Sequence, residues 1–325
     1  MNVGIIGSGF IVPVFIETAK KVRGYHLRAI WGRHEEKLLP FKDEVDYYTT
    51  DLEKILSDEK IDVIYVALPN ALHYSYAMKA LKHGKDVIVE KPFTVHRKQA
   101  KKLIDYAEKN GLIVFEAVMT RCIPNYRKMK EMKDSLGDIR MVSANMSQYS
   151  RKYDLFRQGI ISPNLDAELG GGALMDLNVY NIHFVTGMFG KPKKVFYYPN
   201  VSRNVDTSGV LVLDYGTFKA TLIAAKDSFS DHRVIIQGVE GYLRCETTAS
   251  RCGDFAVKMN RQKEKRYAGD NDEFGGWKHE LKEFARLYKT RDPEKIREYS
   301  EGTLLSMWVL DEAMKSAGLE YRDHE

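Results

Sequence analysis

Val3-Gly4-Ile5-Ile6-Gly7-Ser8-Gly9-Phe10-Ile11-Val12-Pro13 decides how this chain is read. The first four residues are an apolar run the length of a buried strand, and a helical pattern follows to about Val22. A glycine turn between such a strand and such a helix is where the pyrophosphate of a dinucleotide meets a helix N-terminus. Gly7 permits the tight turn and Gly9 lets the backbone approach the phosphates, which assigns Gly7, Ser8, Gly9, Phe10 and Ile11 to cofactor binding. Val12 stands where a third glycine would allow close helix–strand packing, and Pro13 is tolerable only within the first helical turn. The loop is therefore expected to sit somewhat differently from the standard dinucleotide turn.

Outward from this unit, residues 27–31, 61–67, 86–90 and 112–116 read as further strands, with helices near 71–83 and 97–109. Alternating strands and helices predict an α/β, doubly wound parallel sheet with right-handed crossovers, binding its ligand at the carboxyl ends of the strands. After a helix around 125–135 the texture changes. Strands are predicted over 139–148, 194–198, 210–215, 218–223, 233–237 and 242–246, with Asp214-Tyr215-Gly216-Thr217 as a hairpin connection. Consecutive strands mean a mostly antiparallel sheet, hence an α+β second domain, with a prominent helix near 173–188 and a helical end from about Trp277. The expected division is residues 1–121 for the dinucleotide-binding Rossmann domain and residues 122–325 for the substrate domain.

Composition excludes other classes. The 325 residues carry 50 Lys+Arg against 45 Asp+Glu, a net charge of +5, and the most basic stretch, 261–266, has Glu264 inside it. A nucleic-acid partner would call for an unbroken basic patch with interleaved aromatics, so none is expected. Cys122, Cys245 and Cys252 are odd in number and lack Cys-x-x-Cys spacing, which argues against a disulfide framework or a metal site and fits a cytoplasmic location. The first residues do not form a signal peptide, and no apolar run approaches the roughly 20 residues of a membrane span, so no membrane association is expected.

At the tip of the second strand, Trp31-Gly32-Arg33-His34 has no carboxylate to take the ribose hydroxyls of NAD. Arg33 can instead pair with a 2′-phosphate, so Gly32, Arg33 and His34 join the cofactor set and NADP is favoured. The alternative is a solvated Arg33 with Glu35 or Glu36 on the ribose of NAD. Leu68-Pro69-Asn70, followed by His73, and Glu90-Lys91-Pro92 end the next two strands at the same edge of the sheet. Lys91 is sterically restrained by the proline after it, and its ammonium can hold a ribose or substrate hydroxyl.

The second cluster runs from Gly170-Gly171-Gly172 to His183. At 100° per residue, Asp176, Tyr180 and His183 share one face of a helix that is otherwise apolar nearly all round. A buried carboxylate beside two proton-carrying groups is costly unless paired or used.

Together, the Gly7/Gly9 turn, Leu68-Pro69-Asn70 with His73, Glu90-Lys91-Pro92 and the 170–183 segment make the chain resemble, over essentially its whole length, the Gfo/Idh/MocA oxidoreductases. The resemblance implies an open second sheet whose outer face commonly serves oligomerisation, here a homodimer or homotetramer. It maps the family's catalytic Lys to Lys91 and its Asp to Asp176. Tyr180, where inositol-dehydrogenase-like members have His, is similar to glucose–fructose oxidoreductase and dimeric dihydrodiol dehydrogenase, which are NADP-linked. Asn178, in place of a frequent Gly, and His183 depart from the pattern. Arg121 with Pro124 matches a family segment at the substrate site, so Arg121 and Asn178 are taken as substrate candidates.

The expected function is hydride transfer between nicotinamide and a carbinol or carbonyl carbon of a sugar, polyol or related diol. Tyr180 serves as general acid/base beside Lys91, and Asp176 orients the partners. His183 is the alternative base, since its ordinary pKa of about 6.5 is nearer working pH. The rival from another class is a non-enzymatic NADP-binding sensor of the same fold.

Overall fold

The computed structural model describes residues 1–270 and 274–321. It opens with β1 (Asn2–Ile6), α1 (Ile11–Lys20), β2 (His26–Trp31), β3 (Tyr47–Thr49), α2 (Leu52–Leu56), β4 (Val63–Val66), α3 (His73–Lys82), β5 (Asp86–Glu90), α4 (Arg97–Lys109) and β6 (Val114–Ala117). The six strands form one parallel sheet in the order β3-β2-β1-β4-β5-β6. That is the doubly wound order, with its switch point between β1 and β4. β4 is buried at every residue, as a strand covered on both faces must be. α1 turns Val12, Phe15, Ile16 and Ala19 to the sheet, and the Phe15 ring stacks on Tyr65 of β4 at 3.9 Å.

Next come α5 (Pro124–Met132), β7 (Ile139–Ser147), α6 (Tyr153–Arg157) and a π-helical turn over Leu174–Asn178 that leads into α7 (Val179–Phe189). Seven strands follow: β8 (Lys194–Ser202), β9 (Val205–Asp214), β10 (Lys219–Ala225), β11 (Arg233–Gly238), β12 (Gly241–Cys245), β13 (Phe255–Met259) and β14 (Lys265–Tyr267). They join β7 in an eight-stranded sheet of order β14-β13-β12-β11-β7-β10-β9-β8, antiparallel except where β7 meets β10. The expected hairpin holds, with Asp214 paired to Lys219, while β13 and β14 carry the sheet beyond its expected edge. Alternate residues, Val142 and Ala144 of β7 and Ala220, Leu222 and Ala224 of β10 among them, are buried on one face.

The chain ends in α8 (Gly275–Thr290) and α9 (Pro293–Ala317). Packing divides the molecule differently from a single cut at 121. Trp277–Leu304 joins Met1–Ala117 in one compact unit, while the second runs from Val118 to Gly276 and resumes at Leu305. Leu281, Phe284 and Leu287 belong to the core of the parallel sheet, and Phe284 stacks on Phe115 at 5.0 Å. Tyr25 donates to the Leu281 carbonyl at 2.8 Å, and Arg291 pairs with buried Asp86 at 2.6 Å. Periodicity reveals the apolar stripe of a helix such as α8, but not which sheet that stripe covers.

Candidate active site

In the first unit the phosphate turn is built as its glycines require. Gly7 has φ +124°, and a Cβ there would stand 2.2 Å from the Ala67 carbonyl oxygen. Its N–H donates to the Trp31 carbonyl at 2.9 Å, tying the turn to the tip of β2. Gly9 has the opposite environment, with nothing within 4 Å of a Cβ. α1 starts at Ile11 without a side-chain cap, and Phe10 is 86% exposed. Open space over Gly9 and uncapped N–H groups on a ten-residue helix fit a pyrophosphate. Val12 is fully buried in the core and occupies the third position without opening the helix from the sheet. Gly32 approaches Ser8, whose Oγ would lie 3.5 Å from a Cβ at Gly32, and Arg33 and His34 beyond it are exposed.

Leu68, Pro69 and Asn70 are half-buried between β4 and a short 3-10 turn. His73 is different: it is fully buried, with Nδ1 2.9 Å from the Pro92 carbonyl oxygen and Nε2 2.8 Å from that of Leu68. Both ring nitrogens face backbone carbonyls, so His73 lies packed between the segment after β4 and the segment after β5. Burial, with the Lys91 charge adding to it, pushes its pKa below the ordinary histidine value. Glu90 ends β5; its Oε1 accepts from the Tyr65 hydroxyl at 2.5 Å and its Oε2 from the Lys91 N–H at 3.2 Å. Lys91 is half-buried and precedes a cis peptide to Pro92.

In the second unit the π turn reshapes the polar helix face. A π turn holds more residues than an α turn, so positions before and after it no longer follow 100° spacing. Asp176 and Tyr180 are half-buried, while His183, expected in line with them, is fully buried with Nδ1 3.1 Å from Ser306 Oγ of α9. Asn178 is also fully buried: its amide donates to the Leu222 carbonyl at 3.3 Å and its Oδ1 accepts from Asn181 at 2.9 Å. It anchors the helix to β10. Arg121 lies beside the far end of α7, with Nε 3.4 Å from the position of a Cβ at Gly187.

Two residues that sequence reasoning passed over complete this unit. Lys226 follows β10, its side chain 2% exposed, and Nζ donates to Asp176 Oδ2 at 2.5 Å and to the Asn164 carbonyl at 2.8 Å. Asp206, buried in β9, accepts from the Leu174 N–H at 2.6 Å and from the hydroxyls of Tyr197 at 2.6 Å and Tyr321 at 3.2 Å. It thereby fixes the start of the π turn. Burial raises its pKa to about 6, against the pull of those donors. A lysine directly after the apolar Leu222–Ala225 run and an aspartate opening a strand were the available signals.

A doubly wound sheet with a dinucleotide turn, joined to an open-sheet unit carrying an Asp/Tyr pair, defines a class of dinucleotide-dependent oxidoreductase. Residues 1–118 match the family model described as oxidoreductase family, NAD-binding Rossmann fold, and residues 126–244 match the GFO/IDH/MocA C-terminal domain. The chain is 31% identical to an NADP(+)-dependent scyllo-inositol 2-dehydrogenase of Bacillus subtilis, over 98% of this chain and 97% of that one. It is 28% identical to a trans-1,2-dihydrobenzene-1,2-diol dehydrogenase of Xenopus tropicalis, over 75% and 73% of the two chains. In fold it is similar to a 3-ketoreductase from Actinomadura kijaniata solved with NADP and TDP-benzene, with TM-score 0.86, 22% identity and 98% of both chains covered. The chain belongs to the Gfo/Idh/MocA family of oxidoreductases.

Proposed function

We propose that the protein is an NADP-dependent dehydrogenase or reductase of a sugar, polyol or related diol, with Lys91, Asp176 and Tyr180 as its working residues. NADP, when bound, supplies or accepts the hydride at its nicotinamide ring. The turn from Gly7 to Ile11 holds the pyrophosphate, and exposed Arg33 after β2 pairs with the 2′-phosphate. Lys91 holds the reacting oxygen by its ammonium. Tyr180 gives or takes the hydroxyl proton through its phenol oxygen. Asp176, paired with Lys226, is an acceptor for a neighbouring substrate hydroxyl.

The observation that carries this reading is the split along one helix: Asp176 and Tyr180 reach the surface, and His183 does not. Support for NADP and a polyol substrate comes from the NADP(+)-dependent scyllo-inositol dehydrogenase, and for a diol from the dihydrodiol dehydrogenase, to which the chain is similar. A near-ultraviolet assay of reduced nicotinamide tests it, pairing NADP(H) and NAD(H) with inositols, aldoses, ketoses and diols. Turnover with NADP and scyllo-inositol or a related polyol is expected; tight NADP binding without turnover of any of them would overturn the enzymatic reading.

The outer face of the second sheet supports self-association. Tyr198, Val210 and Ile223 stand in one cross-strand row and Phe196, Val212 and Thr221 in the next, with Tyr198 64% and Phe196 41% exposed. Such a contiguous apolar face is the kind of surface a homodimer or homotetramer covers. Light scattering that shows a monomer at micromolar concentration would refute it. Among the described residues no helix is long and apolar enough to cross a membrane, and Cys122, Cys245 and Cys252 are buried.

A further inference from the structure

Glu280 of α8 is 3% exposed, and its Oε2 has no hydrogen-bond partner among the described residues. Glu90 at the end of β5 and Glu116 of β6 are close enough to repel it by charge. Those two carboxylates are supported. Glu90 accepts from Tyr65 of β4 and from the Lys91 N–H, while Glu116 accepts from the Phe93 N–H at 3.1 Å and from Thr303 Oγ1 of α9 at 2.8 Å. Lys91 acts on Glu90 as a neighbouring cation, and His73 is acted on by both Lys91 and Glu116. Three carboxyl groups thus repel one another, with Lys91 and His73 nearby. A carboxylate buried without donors is neutralised before it is tolerated as an anion. At Glu280 burial and both neighbouring carboxylates act in the same direction, upward, whereas Tyr65, Lys91 and a backbone N–H oppose burial at Glu90.

We propose that Glu280 is a protonated carboxylic acid in the working protein. Its neutrality leaves Glu90 and Glu116 as the anions of the cluster. The proton on Glu280 stands on its burial and its orphaned oxygen, and does not depend on the role proposed for Lys91.

Infrared titration of the full-length protein tests this. The carbonyl stretch of a protonated carboxylic acid should persist at about pH 8, where surface carboxylates are ionised, and be missing from Glu280→Gln. Glu280→Met serves if the glutamine variant does not fold. Absence of the acid band, or a band unchanged by the substitution, overturns the proposal. The readout does not use turnover, so a Lys91→Met protein that still turned over substrate would sink the proposed function and leave the protonation of Glu280 standing.

Discussion

Lys226 Nζ lies 2.5 Å from Asp176 Oδ2, and the lysine side chain is almost wholly enclosed while a quarter of the aspartate's is exposed. The cation is thus buried behind the carboxylate. Breaking such a pair by removing one member leaves the other charge uncompensated. Lys226→Met is expected to cost about 3 kcal/mol, at the lower end for a buried pair because Asp176 is part-exposed. Urea midpoints measure this. Combining it with Asp176→Asn should lower turnover little beyond the worse single variant; strictly additive losses would show that the pair does not act as a unit.

Of the groups expected on the helix face, Tyr180 is accessible and His183 is packed against Ser306. Tyr180→Phe is expected to lower single-turnover hydride transfer about 10²- to 10⁴-fold, the range for a positioned acid/base, with NADPH affinity unchanged. His183→Asn should leave the pH profile of that step in place and lower thermal stability instead. Near-normal transfer in Tyr180→Phe would reverse the assignment.

That contrast shows what the sequence could and could not reveal. Gly7, Lys91 and Asp176 stand out in the sequence because local rules single them out: a turn needing positive φ, a lysine fixed before proline, a carboxylate in an apolar helix. The π turn over Leu174–Asn178 breaks the uniform spacing between Asp176 and the residues after it. His183 follows Tyr180 inside α7 and differs from it by packing against Ser306 of α9, which periodicity does not encode. His73 is expected in the cofactor set from its place at the edge of the sheet, and Asn178 as a substrate candidate from its departure from the family pattern. Packing adds backbone carbonyls beside both ring nitrogens of His73, and Leu222 and Asn181 as partners of Asn178. Lys226 is 50 positions from Asp176, and their meeting depends on a strand end reaching a helix, which no periodicity encodes.

The two turn glycines should separate folding from binding. At Gly7 an alanine combines φ +124° with a Cβ only 2.2 Å from a carbonyl oxygen, so Gly7→Ala is expected to destabilise by several kcal/mol, on the order of 3. Gly9→Ala meets open space and should keep the melting temperature within a few degrees while weakening NADPH binding. Calorimetry with and without NADPH distinguishes the two effects. Equal loss of stability in both variants would contradict the cradle.

Arg33 is exposed just past the tip of β2, where a charge-assisted contact to a 2′-phosphate is open to it. Hydrogen bonds between charged groups contribute about 1.5–3 kcal/mol, so Arg33→Ala should cut the preference for NADP over NAD about 10- to 100-fold. The ratio of kcat/KM for the two cofactors measures it. An unchanged ratio would leave the ribose of NAD, held by Glu35 or Glu36, as the better reading.

Asp206 gives the π turn a pH signature. Its pKa is about 6 in the folded protein against an ordinary 3.8, because burial outweighs the donors from Leu174, Tyr197 and Tyr321. Between these values the folded state binds more protons than the unfolded one, so stability falls as pH rises. The contribution is complete below about pH 4 and is lost as pH passes through 6, amounting to about 3 kcal/mol at 1.36 kcal/mol per pH unit. Asp58 and Asp214, held below the usual range, slope the opposite way, while Glu90 and Glu280 are pushed up like Asp206, so the test must be a difference. Asp206→Asn removes the titrating group but keeps its shape. The stability of the unmodified protein minus that of the variant, followed by urea denaturation from pH 4 to 7, should decline across this window. A flat difference would mean that Asp206 is ionised in the fold throughout. Its three donors would then outweigh its burial, and the start of the π turn would be fastened by a carboxylate at every pH tested.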